Sequence, residues 1–477
     1  MATGIEDFPT ELLSVVFEVQ DFSEKKILRC VCKRFNSILE PLLFSMITIN
    51  ADPGVLARST IPFCKALRSP QEASQRSLSI HVRQVNVMCR RSSSAKPRVV
   101  AQFNDIIGPT IAGLCNLEEF FFQIHESQPK LAWITLLVTI LPHIPSKFLS
   151  QFSFCLDRTL DSDEISAIPK SLSSHFTTII VTARGHRRHI SSLLGPNLQR
   201  LIITPQSYSS YSLNDTFGGA YCVEGVPPLR LTELTMHELD MRSADIWEKV
   251  VGHLKQLKKL DLTLLENKQT AGKLWLALHT TKIGLTGLTY RGVVDNSLLR
   301  YLRDLGSALE SLTLQVINLN SSQEEFDDLA DEFYHIILPT LVNIRSLKIQ
   351  PKFDGKWCFG PHNADGFCKY TTKLEIFTVS LKDERLSESV ALAISRASAL
   401  PQLKFFSLSH TYSTGRQDMD QKLPEAFQEC GIKNGDTHRA WTYIIEEYKI
   451  WRIGSTGHEK WVYMQTFADW ITWDFYS

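Results

Sequence analysis

Cys358, His362 and Cys368 are of the residue types that hold zinc. Their spacing argues against a zinc site. Nine residues separate the two cysteines and no second ligand pair follows, whereas zinc sites use tighter pairs. Gly454-Ser455-Thr456-Gly457 places hydroxyls between glycines but lacks the spacing of a nucleophile elbow. The run at 184–189, RGHRRH, is basic but lacks the glycine-rich strand-to-helix context of a phosphate cradle. It reads as an exposed turn. RRSSSAKPR at 90–98 reads as a polar surface loop. No glycine-rich phosphate loop and no helical pair of histidines occurs. The expectation is a chain with no catalytic residue, no metal and no cofactor, which acts by binding.

The composition is consistent with that. The chain has 477 residues, with 51 Lys+Arg against 51 Asp+Glu. A net charge of zero argues against wrapping nucleic acid, which calls for a basic excess. With 43% hydrophobic residues the chain has enough apolar side chains for a large core. The longest strongly apolar stretch, Leu131 to Leu141, falls short of the ~20 residues of a spanning helix. Glu6 and Asp7 stand where a signal peptide carries basic residues. Ten cysteines lie scattered, often inside apolar runs, as reduced core cysteines do. A cytoplasmic and/or nuclear protein is expected, with no membrane and no nucleic acid among its partners.

The elements begin with Phe8 to Phe44, FPTELLSVVFEVQDFSEKKILRCVCKRFNSILEPLLF. Thr10 is placed to cap a first helix with Glu11 in its first turn. Leu12, Leu13, Val16 and Phe17 form one stripe, and Val15 and Val19 lie off it. A second helix is expected from Ser23, carrying Ile27, Leu28, Val31, Phe35 and Ile38 until Pro41 breaks it. Both helices are apolar over more than the ~100° that one core contact uses. A unit of about 40 residues buries too little to stand alone. Something else must cover the second apolar face.

This segment resembles an F-box. The residues that carry the likeness are Phe8, Pro9, Glu11, Leu12 and Leu13, then Val16 and Phe17, then Val31, Cys32, Lys33, Arg34 and Phe35, with Asn36 and the exit Pro41-Leu42-Leu43-Phe44. The resemblance implies docking onto the Skp-type adaptor of a Skp–cullin–F-box ubiquitin ligase, and through that adaptor onto a cullin. The implied adaptor-binding set is Phe8, Pro9, Leu12, Leu13, Val16, Phe17, Ile27, Leu28, Val31, Cys32 and Phe35.

Further along, a Leu-x-x-Leu-x-x-Leu-x-Leu pattern recurs. It is clear at Leu254-Leu257-Leu260-Leu262, Leu341-Ile344-Leu347-Ile349 and Leu400-Leu403-Phe406-Leu408. Weaker copies include Leu231-Leu234-Met236 and Leu285-Leu288-Tyr290. The third apolar positions fall at 201, 234, 260, 288, 312, 347, 377 and 406. The x-Leu-x-Leu piece alternates as a short strand does. The series resembles an array of long, irregular leucine-rich repeats. The Asn or Cys ladder position after the strand is not held; Leu265, Ile317, Lys352 and Thr411 stand there. One insertion, from Ser321 through Ile337, has capping-box spacing and an acidic face and reads as a helix. Residues between the repeat leucines are expected to face a substrate: Asp261, Thr263, Thr313, Gln315, Lys348, Gln350, Ser407 and Ser409.

Beyond about Gly431 the composition shifts, with Trp441, Trp451, Trp461, Trp470 and Trp473 in the last 37 residues. Ile450 to Ile453 and Trp461 to Met464 read as a hairpin. The expected fold is α/β: a small N-terminal helical F-box (1–50), a connecting segment and start of the array (51–110), an irregular leucine-rich repeat solenoid (111–430) and a C-terminal aromatic cap (431–477). The expected function is that of a non-catalytic substrate-recognition subunit of the ligase, binding the adaptor at one end and an unknown protein target through the repeats. The alternative is an interaction scaffold that assembles no ligase.

Overall fold

Pro9 and Asp21 start the first two helices for different reasons. Pro9 has its φ fixed and precedes α1 (Thr10–Glu18), so Thr10 is its first residue rather than its cap. Asp21 accepts from the Glu24 amide while the Glu24 side chain reaches back, a full capping box that opens α2 (Phe22–Leu28). The single second helix expected from Ser23 is in fact two. The chain leaves helix from Arg29 to Cys32, and Cys32 then caps α3 (Lys33–Phe44) by accepting from the Phe35 amide. Pro41 sits inside α3 without ending it.

The computed structural model describes residues 8–68, 78–89, 97–124, 132–144, 149–156, 169, 172–182, 193–204, 211–212, 217, 228–240, 246–264, 268–317, 322–352, 355–381, 386–410, 429, 433–434, 445–453 and 460–467. The fold divides into two units, Met1–Ser209 and Ser210–Asp474. The arginine-rich run 184–189, most of the serine-rich run 90–98, and Trp441, Trp470 and Trp473 lie outside the described residues.

In the first unit, β1 (Met46–Asn50), β2 (Gln84–Cys89), β3 (Glu119–Ile124), β4 (Gln151–Leu156), β5 (Thr178–Val181) and β6 (Arg200–Ile203) pair in parallel in chain order. Their register aligns Ile49, Val87, Phe122, Phe154, Ile179 and Leu201 in one buried row. Helices Pro97–Ala112 and Ala132–Ile140 connect strands, and Trp133 of the latter lies 5.6 Å from Phe154.

The second unit repeats the plan with β7 (Tyr211–Ser212), β8 (Glu233–Asp240), β9 (Lys259–Leu264), β10 (Gly287–Gly292), β11 (Ser311–Val316), β12 (Ser346–Ile349), β13 (Ile376–Leu381) and β14 (Phe405–His410), all parallel. Leu234, Leu260, Leu288, Leu312, Leu347, Phe377 and Phe406 form one buried row across it. Each such side chain contributes about 1.5–3 kcal/mol by leaving water. Helices cover this face: Trp275 packs at 5.1 Å on Tyr290, and Phe367 at 4.9 Å on Phe377. The Leu-x-Leu positions therefore mark the strands correctly. A hairpin also forms as the pattern near the C-terminus suggests. Its strands β16 (Ile445–Ile453) and β17 (Lys460–Phe467) are antiparallel, β16 joins the edge of β14, and the short β15 (Lys433–Asn434) pairs with β17.

The architecture expected from these patterns is corrected. The α/β class stands, but the fold is parallel sheet with helices between successive strands, not a helical F-box followed by a leucine-rich repeat solenoid with an aromatic cap. Three physical reasons account for the difference. The leucine motif specifies a buried turn residue followed by a parallel strand, which any such sheet requires, and it specifies no uniform unit. The connections differ accordingly: Ile246–Val250 is a five-residue helix, Lys268–Thr280 and Leu386–Ser398 have thirteen residues, and Pro97–Ala112 has sixteen. The turns after β11 and β12 bond through backbone: the Ile317 amide donates to the Gly292 carbonyl and that of Lys352 to the Val316 carbonyl. Finally, α3 ends at Phe44 and β1 starts at Met46, so the N-terminal helices run straight into the sheet.

Candidate functional site

Two surfaces hold the residues picked out from the sequence. The first is on α1 to α3. Leu13, Phe17, Phe35, Ile38, Leu39 and Leu43 form a small core, with Leu28 and Cys32 partly buried against it. The Phe17 and Phe35 rings meet edge to face at 5.0 Å. Arg34 draws the segment together by donating to the Phe8 carbonyl at 2.6 Å and to Thr10 Oγ1 at 3.4 Å. The predicted set thus splits. Leu13, Phe17 and Phe35 face inward, Leu28 and Cys32 sit at the margin, and Phe8, Pro9, Leu12, Val16, Ile27 and Val31 face outward.

The outward residues are unusually apolar. Leu12 is 54% exposed, Val31 57% and Ile27 70%. Val15, Val19 and Phe22, which were not in the predicted set, are exposed with them. Among the described residues, eight of the fifteen exposed large hydrophobics fall between Phe8 and Val31. An exposed apolar cluster is the kind of feature by which interaction surfaces are recognised. Val15 and Val19 were legible as apolar residues lying off the first stripe. Lys26 lies 4.2 Å over the Phe22 ring, and Lys25 donates to the Glu18 carbonyl, so both lysines frame the face.

The second surface is the face of the β8–β12 sheet opposite the leucines. Parallel sheets ordinarily bury both faces. Here the alternate residues of β8 to β12 are only half-buried. The register puts Thr235, Asp261, Thr289, Thr313, Lys348, Thr378 and Ser407 in one row. Of the predicted set, Asp261, Thr313 and Lys348 share that row. Thr263 and Gln315 lie on the next row, on either side of Arg291. Gln350 follows the end of β12, where its amide donates to the Leu314 carbonyl. Ser407 is buried, as are Thr378 and Ser380, so the open face closes at β13 and β14 and Ser407 presents nothing to a target. Ser409 pairs with Ser380 by register, and its side chain lies outside the described set.

A depression of about 250 Å³ sinks into this face around Gly287, with Glu233, Thr235, Lys259, Asp261, Thr289 and Ser311 on its walls. Gly287 is the reason: a Cβ there would enter the space beside the Lys259 side chain, 3.4 Å from its Cγ. Lys259 Nζ holds Glu233 Oε1 at 2.9 Å. His237 Nε2 lies 3.3 Å from Asp261 Oδ1. β8 departs from regular register between Met236 and Leu239, the kind of irregularity that re-aims a side chain. Of these residues only Asp261 was singled out from the sequence. Glu233, Thr235, Gly287 and Thr289 stood beside Leu234 and Leu288 in the weaker motif copies, Lys259 beside Leu260 and Ser311 beside Leu312, and those positions are the signal that could have found them.

Among the described residues no group of three or more His, Cys, Asp or Glu converges as a metal site. His362 Nε2 is instead 2.7 Å from the Lys356 carbonyl. No helix among the described residues is long and apolar enough to cross a membrane. Set against known proteins, the chain matches no family model and no curated sequence.

Proposed function

We propose that the chain is a non-catalytic substrate-recognition subunit of a Skp–cullin–F-box ubiquitin ligase, acting in the cytoplasm and/or nucleus. One observation carries the reading: the N-terminal helices pack a core of their own through Leu13, Phe17 and Phe35 while leaving a second apolar face, Leu12, Val16, Ile27 and Val31, in water. A solvent-facing surface of that kind costs stability unless a partner covers it. The F-box-like positions Phe8-Pro9 and Val31-Cys32-Lys33-Arg34-Phe35 name the Skp-type adaptor as that partner. The open polar face of the second unit supplies a surface for a protein target. The chain's contribution is then proximity: it raises the effective concentration of target near ubiquitin carried by other subunits.

The test is reconstitution of the purified chain with adaptor and cullin. The reading predicts one complex containing all three. A complex with adaptor that excludes the cullin, or no complex at all, would sink the receptor reading and leave the scaffold alternative.

A further inference from the structure

The depression at Gly287 carries an inference about the target, one that rests on the receptor reading. At about 250 Å³ it is smaller than the roughly 300–1,000 Å³ of cavities that enclose small molecules or cofactors. It has room for one side chain. Its walls hold two carboxylates, Glu233 and Asp261, against one ammonium, Lys259. That ammonium is engaged with Glu233. The Asp261 side chain is 31% exposed, so its carboxylate can be reached from the depression, although Oδ1 itself is shielded from solvent and has no hydrogen-bond donor. His237 Nε2 is within ion-pair distance of it, but the pair is not aligned for a hydrogen bond. Arg291 faces Thr263 and Gln315 one row further along and does not line the depression. The remaining polar walls are the hydroxyls of Thr235, Thr289 and Ser311, which accept as readily as they donate.

We propose that this depression takes a lysine or arginine side chain from the target segment, with Asp261 as its charged partner and the hydroxyls as further acceptors. The surplus carboxylate gives the preference for a cation, and the missing side chain of Gly287 gives the depth.

The test uses the full chain against a random heptapeptide phage library. Wild type should enrich peptides with Lys or Arg at a fixed position. Asp261→Asn, which keeps the side-chain shape, should bind a selected peptide more than about tenfold more weakly, the loss of a charged hydrogen bond. Gly287→Val should do the same by filling the depression. Asp261→Lys should shift enrichment toward Asp and Glu. Circular dichroism checks that each variant folds. Enrichment of acidic or apolar peptides by wild type, no enrichment, or selection unchanged in Asp261→Asn would overturn the proposal. Adaptor capture by the same preparations reads the receptor assignment separately, so the two can fail independently.

Discussion

At the scale of single residues, the structure separates side chains that fold the N-terminal helices from those that stand free. Phe17 touches Phe35 inside the small core, and replacing it by Ala should cost about 3 kcal/mol in chemical denaturation. Leu12 and Val31 are exposed, so charges there should leave that stability within about 0.5 kcal/mol. The cysteines divide in the same way. Burial pushes the Cys64 thiol up to about 11 and the Cys89 thiol up to about 12, while Cys30 and Cys115 are exposed. A thiol reagent at pH 8, read by peptide mass spectrometry, should label Cys30 and Cys115 well before Cys64 and Cys89. Equal rates at the four would contradict the burial described.

At the scale of elements, two devices place the surfaces. The capping box of Asp21 and Glu24 starts α2, which carries Ile27 outward. Asp21→Ala should cost about 1 kcal/mol in denaturant midpoint analysis and loosen the exposed face. In the second unit, Glu375 enters β13 between Lys404 Nζ at 2.5 Å and Arg345 at 3.4 Å. The Lys404 hydrogen bond, with both cations near, holds the Glu375 carboxyl below its ordinary value of 4.5. A carboxyl depressed in the folded state stabilises above its unfolded value, and that contribution is lost as pH falls through the folded value. The melting temperature of Glu375→Gln should therefore lie slightly below wild type at pH 7, with the gap closing as pH drops through the acid range. A gap that widens on acidification would reverse the assignment.

At the scale of the whole molecule, strand positions were legible because a buried parallel strand needs apolar residues at alternate places, and Leu260, Leu288, Leu312 and Leu347 sit in register as that requires. The architecture was not legible, because the same motif serves any parallel sheet and the connections between strands carry no shared pattern. The division of the N-terminal set between core and surface was hidden for a similar reason. Leu12 and Leu13 are adjacent and identical in type, and only the packing of α1 on α3 shows which one is buried. Asp261 was found because it lies inside a strong motif copy. Gly287 was missed because a depression made by an absent side chain carries no functional group, and its place beside Leu288 was the one sign of it in the sequence.

The proposed receptor role requires that a Skp-type adaptor cover the exposed face of α1 to α3. The most direct measurement is co-expression with the adaptor and pull-down of wild type beside a Leu12→Asp/Val31→Asp double variant. Burying two charges at such a contact costs several kcal/mol, so wild type should retain the adaptor and the folded double variant should not. Failure of wild type to retain it, or equal retention by both, would contradict the account.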